Sequence, residues 1–266
     1  MEATKEFPFT LEQDTVDIWC DCKRHIFKFQ TFDAWIVEPA ENDIRHRYES
    51  SNFPEEKKVR KWFWVAEWPT AFPQRNGAAQ LLELGYYMIH VHVHQTYCNP
   101  AGIQRMYDFY KFLRTMDFAE KGAFIGMSFG GLFSLRMLAE HPEIGACVYL
   151  DAPVCDLNFH EFTGTDSTPM AQAYGLDDVN KLKDHPLSPV NNYMPLVKAK
   201  IPVLLLLPLA DNVVNPETNG GLLAQRYAAA GGPVTVVRRN AWGHHPHGMD
   251  KPLELVKFIL KYTWNA

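Results

Sequence analysis

The chain has 266 residues, 47% of them hydrophobic, and a formal net charge of -5 at pH 7. These totals suit one globular α/β domain and exclude the basic footprint of a nucleic-acid or anionic-membrane binder, and no apolar run is long enough to span a bilayer. Residues 1–10 lack the basic and apolar regions of a signal peptide, so a cytoplasmic location is the default expectation, with a trimmed signal left open.

The segments that follow alternate between strand-like and helix-like patterns. A hairpin is predicted from strands at 24–29 and 33–37, and an exposed loop at 38–58. Further strands are predicted at 61–66, 86–94, 122–125, 147–150, 203–207 and 234–237, and helices at 74–84, 103–118, 132–140, 219–230 and 253–262. This alternation predicts a mostly parallel sheet with helices on both faces, in a single α/β domain over residues 1–266.

Residues 152–189 interrupt the alternation. They contain turn residues and short apolar patches with little regular period. They lie between two predicted strands, which is where this class of fold usually carries a cap. The sequence therefore predicts a cap-like insertion here.

The segment Gly126-Met127-Ser128-Phe129-Gly130 fits the G-x-S-x-G pattern of a nucleophile elbow. A short apolar strand is predicted before it and a helix after it, which is the setting that the motif requires. The flanking glycines leave space in a turn too tight for larger side chains. Ser128 is therefore the predicted nucleophile.

A serine nucleophile needs a base, and the base needs an acid that orients it. In α/β-hydrolases, which carry the G-x-S-x-G elbow, the order along the chain is serine, acid, histidine. Asp211 follows the strand at 203–207, and His244 follows the strand at 234–237, so both lie at carboxyl ends of strands where such sites assemble. The alternatives left open are two other acids and two other histidines, namely Asp151, Asp156, His245 and His247.

The oxyanion hole is predicted from backbone N–H groups. One should come from Phe129, the residue after the nucleophile, and one from the loop after the strand at 61–66. Because Pro69 has no N–H, Glu67 or Trp68 is the expected second donor. The chain has no HGGG-type motif, which argues against a lipase of that class.

Three histidines at alternate positions in the segment at 86–94 allow a second hypothesis, a zinc site. On a strand, His90, His92 and His94 would share one face and could bind zinc with help from the 244–247 histidines. No acidic or thiol ligand lies at metal spacing, and imidazoles crowded around a catalytic base would be wasteful. We therefore expect no metal and no other cofactor, and keep a zinc-dependent hydrolase as the less favoured alternative.

Three segments together resemble a known group of proteins. Residues 126–131, 151–156 and 243–247 are similar to those of bacterial α/β-hydrolases related to dienelactone-hydrolase and prolyl-oligopeptidase-like esterases, often associated with polysaccharide breakdown. The resemblance implies a Ser-His-Asp esterase in which Ser128, Asp211 and His244 match the pattern. Phe129 stands where the group has a basic residue, and Glu67 is likewise unexpected, so a non-catalytic binding protein of the same fold is a second hypothesis.

The aromatic content near the predicted site suggests the kind of substrate. Tyr97, Trp68 and Trp242, with Phe159 from the insertion and His94 at the rim, should form a mixed aromatic and polar cleft over the nucleophile. Such a cleft favours small-acyl or methyl esters over long acyl chains, and the resemblance suggests esters on a carbohydrate. The expected partner is thus a small-molecule or carbohydrate ester, with no nucleic acid or membrane; a homodimer is left open.

Overall fold

The computed structural model describes residues 10–40 and 59–264, and a nine-stranded sheet forms the centre of these residues. The strand order is β1-β2-β3-β5-β4-β6-β7-β8-β9. Strands β1 to β3 and β5 pair antiparallel, and β5 through β9 pair parallel. The strands are β1 Thr15–Trp19, β2 Cys22–Phe29, β3 Phe32–Val37, β4 Trp62–Val65, β5 Tyr87–Val91, β6 Gly122–Met127, β7 Gly145–Asp151, β8 Val203–Pro208 and β9 Val234–Arg239.

Helices cover both faces of the parallel part. Strand β4 shows the reason, since all four of its residues are buried and its side chains alternate between two separate apolar clusters. Helices α2 and α3 pack in one cluster, and α1 and α8 in the other. The α-helices are α1 Ala78–Glu83, α2 Pro100–Arg114, α3 Phe129–Glu140, α4 His160–Thr163, α5 Thr168–Ala173, α6 Met194–Lys198, α7 Leu222–Ala229 and α8 Leu253–Thr263.

The predicted mostly parallel sheet is confirmed, and the differences are local. Strand β1 was missed because most of its side chains are exposed, which removes the alternation that marks a half-buried strand. The helix predicted at 74–84 begins only at Ala78, after Gly77 at φ 82°. The helix predicted at 103–118 begins at Pro100, where the Asn99 side chain accepts a hydrogen bond from the Gly102 N–H. Most of the loop predicted at 38–58 lies outside the described residues.

The insertion at 152–189 is more ordered than its sequence pattern indicates. It contains α4, α5 and a 3-10 turn at Val179–Leu182. Its start is fixed by the Asn219 side-chain amide oxygen, Oδ1, which accepts hydrogen bonds from the N–H groups of Cys155 and Asp156 at 2.8 and 3.0 Å. Its middle is fixed by the Tyr174 hydroxyl, which donates to backbone carbonyls of the segment before α2. A role as a cap stays a prediction.

Asn219 belongs to a second difference in the same region. The helix predicted at 219–230 starts as a π-helical turn at Glu217–Gly221 and continues as α7. Extra residues in such a turn often accompany functional sites, and here the turn delivers the Asn219 side chain to the insertion. In the residues that the structure describes, no helix is both long and apolar enough to cross a membrane.

Candidate active site

Ser128 lies at the tight turn between β6 and α3. Its backbone has φ 50° and ψ -120°, a conformation that a non-glycine residue adopts only when its surroundings enforce it. A Cβ at Gly126 would lie 2.8 Å from the Gly130 carbonyl oxygen, and one at Gly131 would lie 2.4 Å from the Pro153 Cβ. The glycines therefore permit the close approach of chain segments that the strained turn requires.

The serine, histidine and acid that the sequence singled out come together in space. Ser128 Oγ lies 2.9 Å from His244 Nε2, and His244 Nδ1 lies 2.7 Å from Asp211 Oδ2. The side chains of His244 and Asp211 are 4% and 1% exposed, so water has little access to the contact between them. The geometry allows His244 to take a proton from Ser128 while Asp211 holds the ring.

Asp211 follows β8, and the turn after it is built around its carboxylate. Oδ1 accepts hydrogen bonds from the N–H groups of Val213 and Val214 at 2.8 and 2.9 Å, which leaves Oδ2 for His244. Burial by itself would raise the pKa of Asp211, but the bonds from His244, Val214 and Val213 outweigh burial and lower it. The carboxylate is thus held ionised, as an acceptor for an imidazole N–H.

The two alternative acids have other partners. Asp151 Oδ2 accepts hydrogen bonds from the Gly248 N–H and from the Tyr149 hydroxyl. Asp156 accepts bonds from the Ser188 hydroxyl and the Asn158 N–H, and burial raises its pKa. Neither carboxylate makes a hydrogen bond to His244 in this arrangement, and Asp211 is the acid that contacts it.

The loop that carries His244 is tied down at its far end. Arg75 Nε donates to the His247 carbonyl oxygen at 2.8 Å, and Arg75 also pairs with Asp250. His247 is 3% exposed, and its Nδ1 lies 3.5 Å from Asp151 Oδ1. Sequence reasoning missed Arg75 and the anchoring role of Asp151, because both contacts join residues that are far apart in the chain.

The other side of Ser128 carries the oxyanion candidates. A Cβ at Gly130 would lie 3.2 Å from the Glu67 nitrogen, so the loop after β4 runs directly beside the first turn of α3. Phe129, the other predicted donor, is the first residue of that helix. The Glu67 and Phe129 N–H groups therefore belong to adjacent segments, and Trp68 follows with a left-handed backbone at φ 55°.

The Glu67 side chain is 2% exposed and faces a histidine. Its Oε2 lies 3.4 Å from His94 Nδ1, while Oε1 is buried and has no hydrogen-bond partner among the described residues. The Glu67 carboxylate raises the pKa of His94, against the opposite effect of burial. A buried carboxylate that faces a half-buried histidine therefore lies next to the predicted oxyanion hole.

Phe129 also contributes its side chain, which the sequence reasoning had not assigned a role. Its ring centroid lies 5.4 Å from His94, 6.0 Å from Tyr97 and 5.9 Å from Phe159. Trp68 joins the group through His94 at 5.5 Å. Four of the five predicted cleft residues therefore gather around the residue that follows the nucleophile. We call His94, Tyr97, Phe129 and Phe159 the aromatic cluster.

Trp242, the fifth predicted cleft residue, makes different contacts. Its ring lies 4.8 Å from the guanidinium carbon of Arg239 and 5.6 Å from that of Arg75. Its backbone carbonyl accepts a bond from the Ala210 N–H at 3.0 Å, which connects the loop of the acid to the loop of the base. A role in substrate binding stays a prediction for Trp242.

The predicted strand at 86–94 is wrong at its end. Strand β5 stops at Val91, and His94 begins a 3-10 turn, so the three histidines do not share the face of one strand. His90 is buried with Nδ1 2.9 Å from the Val65 carbonyl oxygen, and burial lowers its pKa. The three residues do not form a set of metal ligands in the described part of the chain, where the histidine group that does come together is His244, His245 and His247.

Comparison with known proteins identifies the family. The model of the prolyl oligopeptidase family matches residues 102–265, which is more than half of the chain. The chain therefore belongs to the prolyl oligopeptidase family, and the predicted enzyme class, a serine hydrolase, is confirmed. No curated protein matches the chain by sequence.

Solved structures give the fold. S-formylglutathione hydrolase from Agrobacterium tumefaciens is 12% identical with a TM-score of 0.60, and the match covers 92% of this chain and 94% of that one. Est1E from Butyrivibrio proteoclasticus is 14% identical with a TM-score of 0.57, covering 94% and 98%. The acylaminoacyl peptidase of Pyrococcus horikoshii is 13% identical with a TM-score of 0.59; the match covers 90% of this chain but only 38% of the peptidase. The predicted α/β-hydrolase fold is confirmed.

Proposed function

We propose that this serine hydrolase cleaves carboxylic esters through an acyl-enzyme on Ser128. The observation that carries the proposal is the continuous chain of hydrogen bonds from Ser128 Oγ through both ring nitrogens of His244 to Asp211 Oδ2. Serine is a weak nucleophile unless a base at this distance accepts its proton. The strained elbow backbone keeps the hydroxyl in place beside the base.

In the first half of the reaction, Ser128 Oγ attacks the ester carbonyl carbon and His244 Nε2 accepts the hydroxyl proton. The carbonyl oxygen becomes an oxyanion, and His244 then gives its proton to the departing alcohol as the carbon–oxygen bond breaks. Asp211 stabilises the imidazolium between these steps. In the second half, water attacks the acyl-enzyme by the same route and releases the acid.

The oxyanion would be held by backbone N–H groups of Phe129 and of Glu67 or Trp68. Donors aimed at the developing charge usually supply the largest share of catalysis in acyl transfer. The Glu67 carboxylate is an unusual neighbour for an oxyanion, since two negative charges repel. Its pairing with His94 supports the proposal, because an imidazolium beside the carboxylate makes the pair neutral.

The aromatic cluster supports a small acyl group as substrate. Phe129 is only 7% exposed, and Phe159 from the insertion packs on it, so the wall next to the nucleophile is closely filled. A long acyl chain would need a more open apolar channel. We therefore propose acetyl or methyl esters, and a carbohydrate as the group that carries them. The acylaminoacyl peptidase among the structural matches makes acyl-amino-acid amides the comparison class to test.

One experiment on the purified protein tests the chemistry. A fluorophosphonate should label wild-type protein at Ser128 and leave Ser128→Ala unlabelled, because only an activated serine reacts. Hydrolysis of 4-nitrophenyl acetate should fall by about 10⁴-fold or more in Ser128→Ala. Labelling elsewhere, or an unchanged rate in the variant, would exclude Ser128 as the nucleophile.

A second experiment tests the substrate. Acetyl, butyryl and octanoyl esters, acetylated and methyl-esterified polysaccharides and acyl-amino-acid arylamides should be compared by kcat/KM. We expect acetyl to exceed octanoyl and esters to exceed arylamides. A preference for octanoyl would contradict the small-acyl proposal, and a preference for arylamides would assign a peptidase-like substrate to the same triad.

A further inference from the structure

The loop after β9 places three imidazoles side by side. The ring centroids of His244, His245 and His247 are 4.8, 4.8 and 4.9 Å apart, and each pair of rings is close to perpendicular, at 80°, 78° and 84°. One ligand atom from each residue lies within 4.8 Å of the other two. Imidazole nitrogen is a ligand that zinc and related transition-metal ions bind well. We call these three residues the histidine triangle.

Two carboxylates stand behind two members of the triangle. Asp211 Oδ2 lies 2.7 Å from His244 Nδ1, and Asp151 Oδ1 lies 3.5 Å from His247 Nδ1. A carboxylate on one ring nitrogen is the usual outer partner of a metal-binding histidine, because it fixes the tautomer and directs the other nitrogen to the metal. In both residues this pairing leaves Nε2 as the nitrogen for a ligand.

His247 carries a buried ring nitrogen that faces Asp151 without a hydrogen bond to it. Its side chain is only 3% exposed, and its Nδ1 has no hydrogen-bond partner among the described residues. A buried imidazole nitrogen without a partner is unfavourable. A small rotation that brings Nδ1 from 3.5 Å into hydrogen-bond distance of Asp151 would satisfy it, and a metal ion on Nε2 would favour that rotation.

We propose that the histidine triangle binds one divalent transition-metal ion, for which Zn²⁺ is the probe, and that the bound ion switches the hydrolase off reversibly. Nε2 of His244 and of His247 and one ring nitrogen of His245 are the protein ligands, with water in the fourth position. Zinc–nitrogen bonds of about 2.0–2.1 Å place tetrahedral ligands about 3.4 Å apart, so ligand atoms that now lie within 4.8 Å of one another must approach by up to about 1.4 Å. His245 is exposed and can turn toward the ion.

Inhibition follows from the identity of one atom. His244 Nε2 lies 2.9 Å from Ser128 Oγ, and its lone pair is the acceptor for the serine proton. A metal ion that takes this lone pair leaves Ser128 without a base, while no covalent bond of the protein changes. The inhibitory part rests on the proposed role of His244 in ester hydrolysis, whereas metal binding itself does not.

The test combines binding with activity. Three full-length proteins are freed of metal and titrated with Zn²⁺ by calorimetry: wild type, His245→Ala and the control His141→Ala. The His141 ring is not part of the triangle and stacks on Tyr107, with 3.6 Å between the ring centroids. Ester hydrolysis is followed over the same concentrations and after EDTA. Ser128→Ala is included in the calorimetry, because it should bind zinc without being able to hydrolyse ester.

We expect one zinc ion per chain in wild type, in His141→Ala and in Ser128→Ala. Loss of an outer partner alone weakens metal binding roughly 10–100-fold, so His245→Ala should lose at least that much affinity and need that much more zinc for inhibition. Its activity without metal should stay within about twofold of wild type. Equal zinc affinity in wild type and His245→Ala overturns the site, and stoichiometric binding without inhibition overturns the switch. If Ser128→Ala still hydrolyses ester, the proposed function is wrong, and this outcome is separate from the results for zinc binding.

Discussion

The carboxylates nearest to Ser128 on its two sides, those of Asp211 and Glu67, differ in how completely they are paired. On the base side, Asp211 uses both oxygens and His244 uses both nitrogens. Asp151 accepts one bond from the Gly248 N–H of the loop that it anchors and one from the Tyr149 hydroxyl within β7. On the oxyanion side, a buried glutamate faces a histidine at 3.4 Å and keeps one oxygen unpaired among the described residues. The base side supports chemistry that any ester requires, whereas the oxyanion side is where this chain departs from the group it resembles.

The largest expected effect lies on the base side. Asp211→Asn should lower kcat about 10⁴-fold, because the imidazole loses its orienting acceptor and the cation its counter-charge. The measurement is kcat on an acetyl ester, with circular dichroism to show that the fold remains. Asp156→Asn is the matched control and should change kcat by less than about twofold. A larger loss in Asp156→Asn than in Asp211→Asn would reassign the acid.

A smaller effect is expected at Asp151, which holds the loop of His244 without contacting His244 itself. Asp151→Asn weakens the acceptor of the Gly248 N–H and leaves the triad untouched. A buried hydrogen bond to a charged group contributes about 1.5–3 kcal/mol. We expect part of this loss to appear as misplacement of His244, which should lower kcat about tenfold. KM should stay constant, because the substrate does not meet this residue. A fall as deep as that of Asp211→Asn would place Asp151 in the triad.

The Glu67–His94 pair on the oxyanion side should make kcat/KM depend on pH. Because Glu67 raises the pKa of His94, the pair is neutral below that raised value and carries one negative charge above it. We therefore expect kcat/KM of wild type to fall severalfold as pH rises through the pKa of His94, since the added charge repels the oxyanion. Glu67→Gln should lack this alkaline fall, because no negative charge remains.

The matched variant at this pair removes the other partner. His94→Gln leaves the Glu67 carboxylate without its imidazolium at every pH, so kcat/KM should be low across the whole profile. A profile for Glu67→Gln that keeps the alkaline fall would show that another group titrates there. Nuclear magnetic resonance of the His94 ring gives the same pKa independently of activity.

The smallest effect concerns the aromatic cluster. Phe129→Leu keeps the backbone N–H and an apolar side chain but removes the ring that Tyr97 and Phe159 contact. The free energy of unfolding should fall by less than about 1.5 kcal/mol. The ratio of octanoyl to acetyl kcat/KM should rise about two- to fivefold, because the wall next to the acyl group becomes softer. An unchanged ratio would show that the acyl group binds elsewhere.

The sequence predicted the parts of the site that short motifs encode. Ser128, Asp211 and His244 each follow a predicted strand, and the fold then brings the carboxyl ends of parallel strands together. The location of Glu67, beside the turn that carries Ser128, followed for the same reason. Fold class was predictable because alternating strands and helices leave few arrangements of a parallel sheet.

What the sequence left undetermined depends on contacts between distant segments. Alternation of histidines at 90–94 predicted one strand, yet the chain leaves the sheet after Val91, and nothing local marks that exit. Phe129 looked like a departure from a family pattern, and only the packing of Phe159 on it reveals a closed wall. Asp151 is a rival acid in the sequence because its position at the end of β7 resembles that of Asp211 beyond β8. Their contacts differ, since Asp211 contacts His244 whereas Asp151 accepts a bond from the Gly248 N–H.

The spacing of the triad along the chain also has a consequence for synthesis. Ser128 and His244 are 116 positions apart, and the base is made after the elbow. At translation rates of about 5–20 residues per second, roughly 6 to 23 seconds separate the two. During that interval a nascent polypeptide carries a nucleophile with no proton acceptor. In the proposed mechanism, a molecule that is unfinished on the ribosome therefore cannot hydrolyse esters, and activity arises only when the late segment docks.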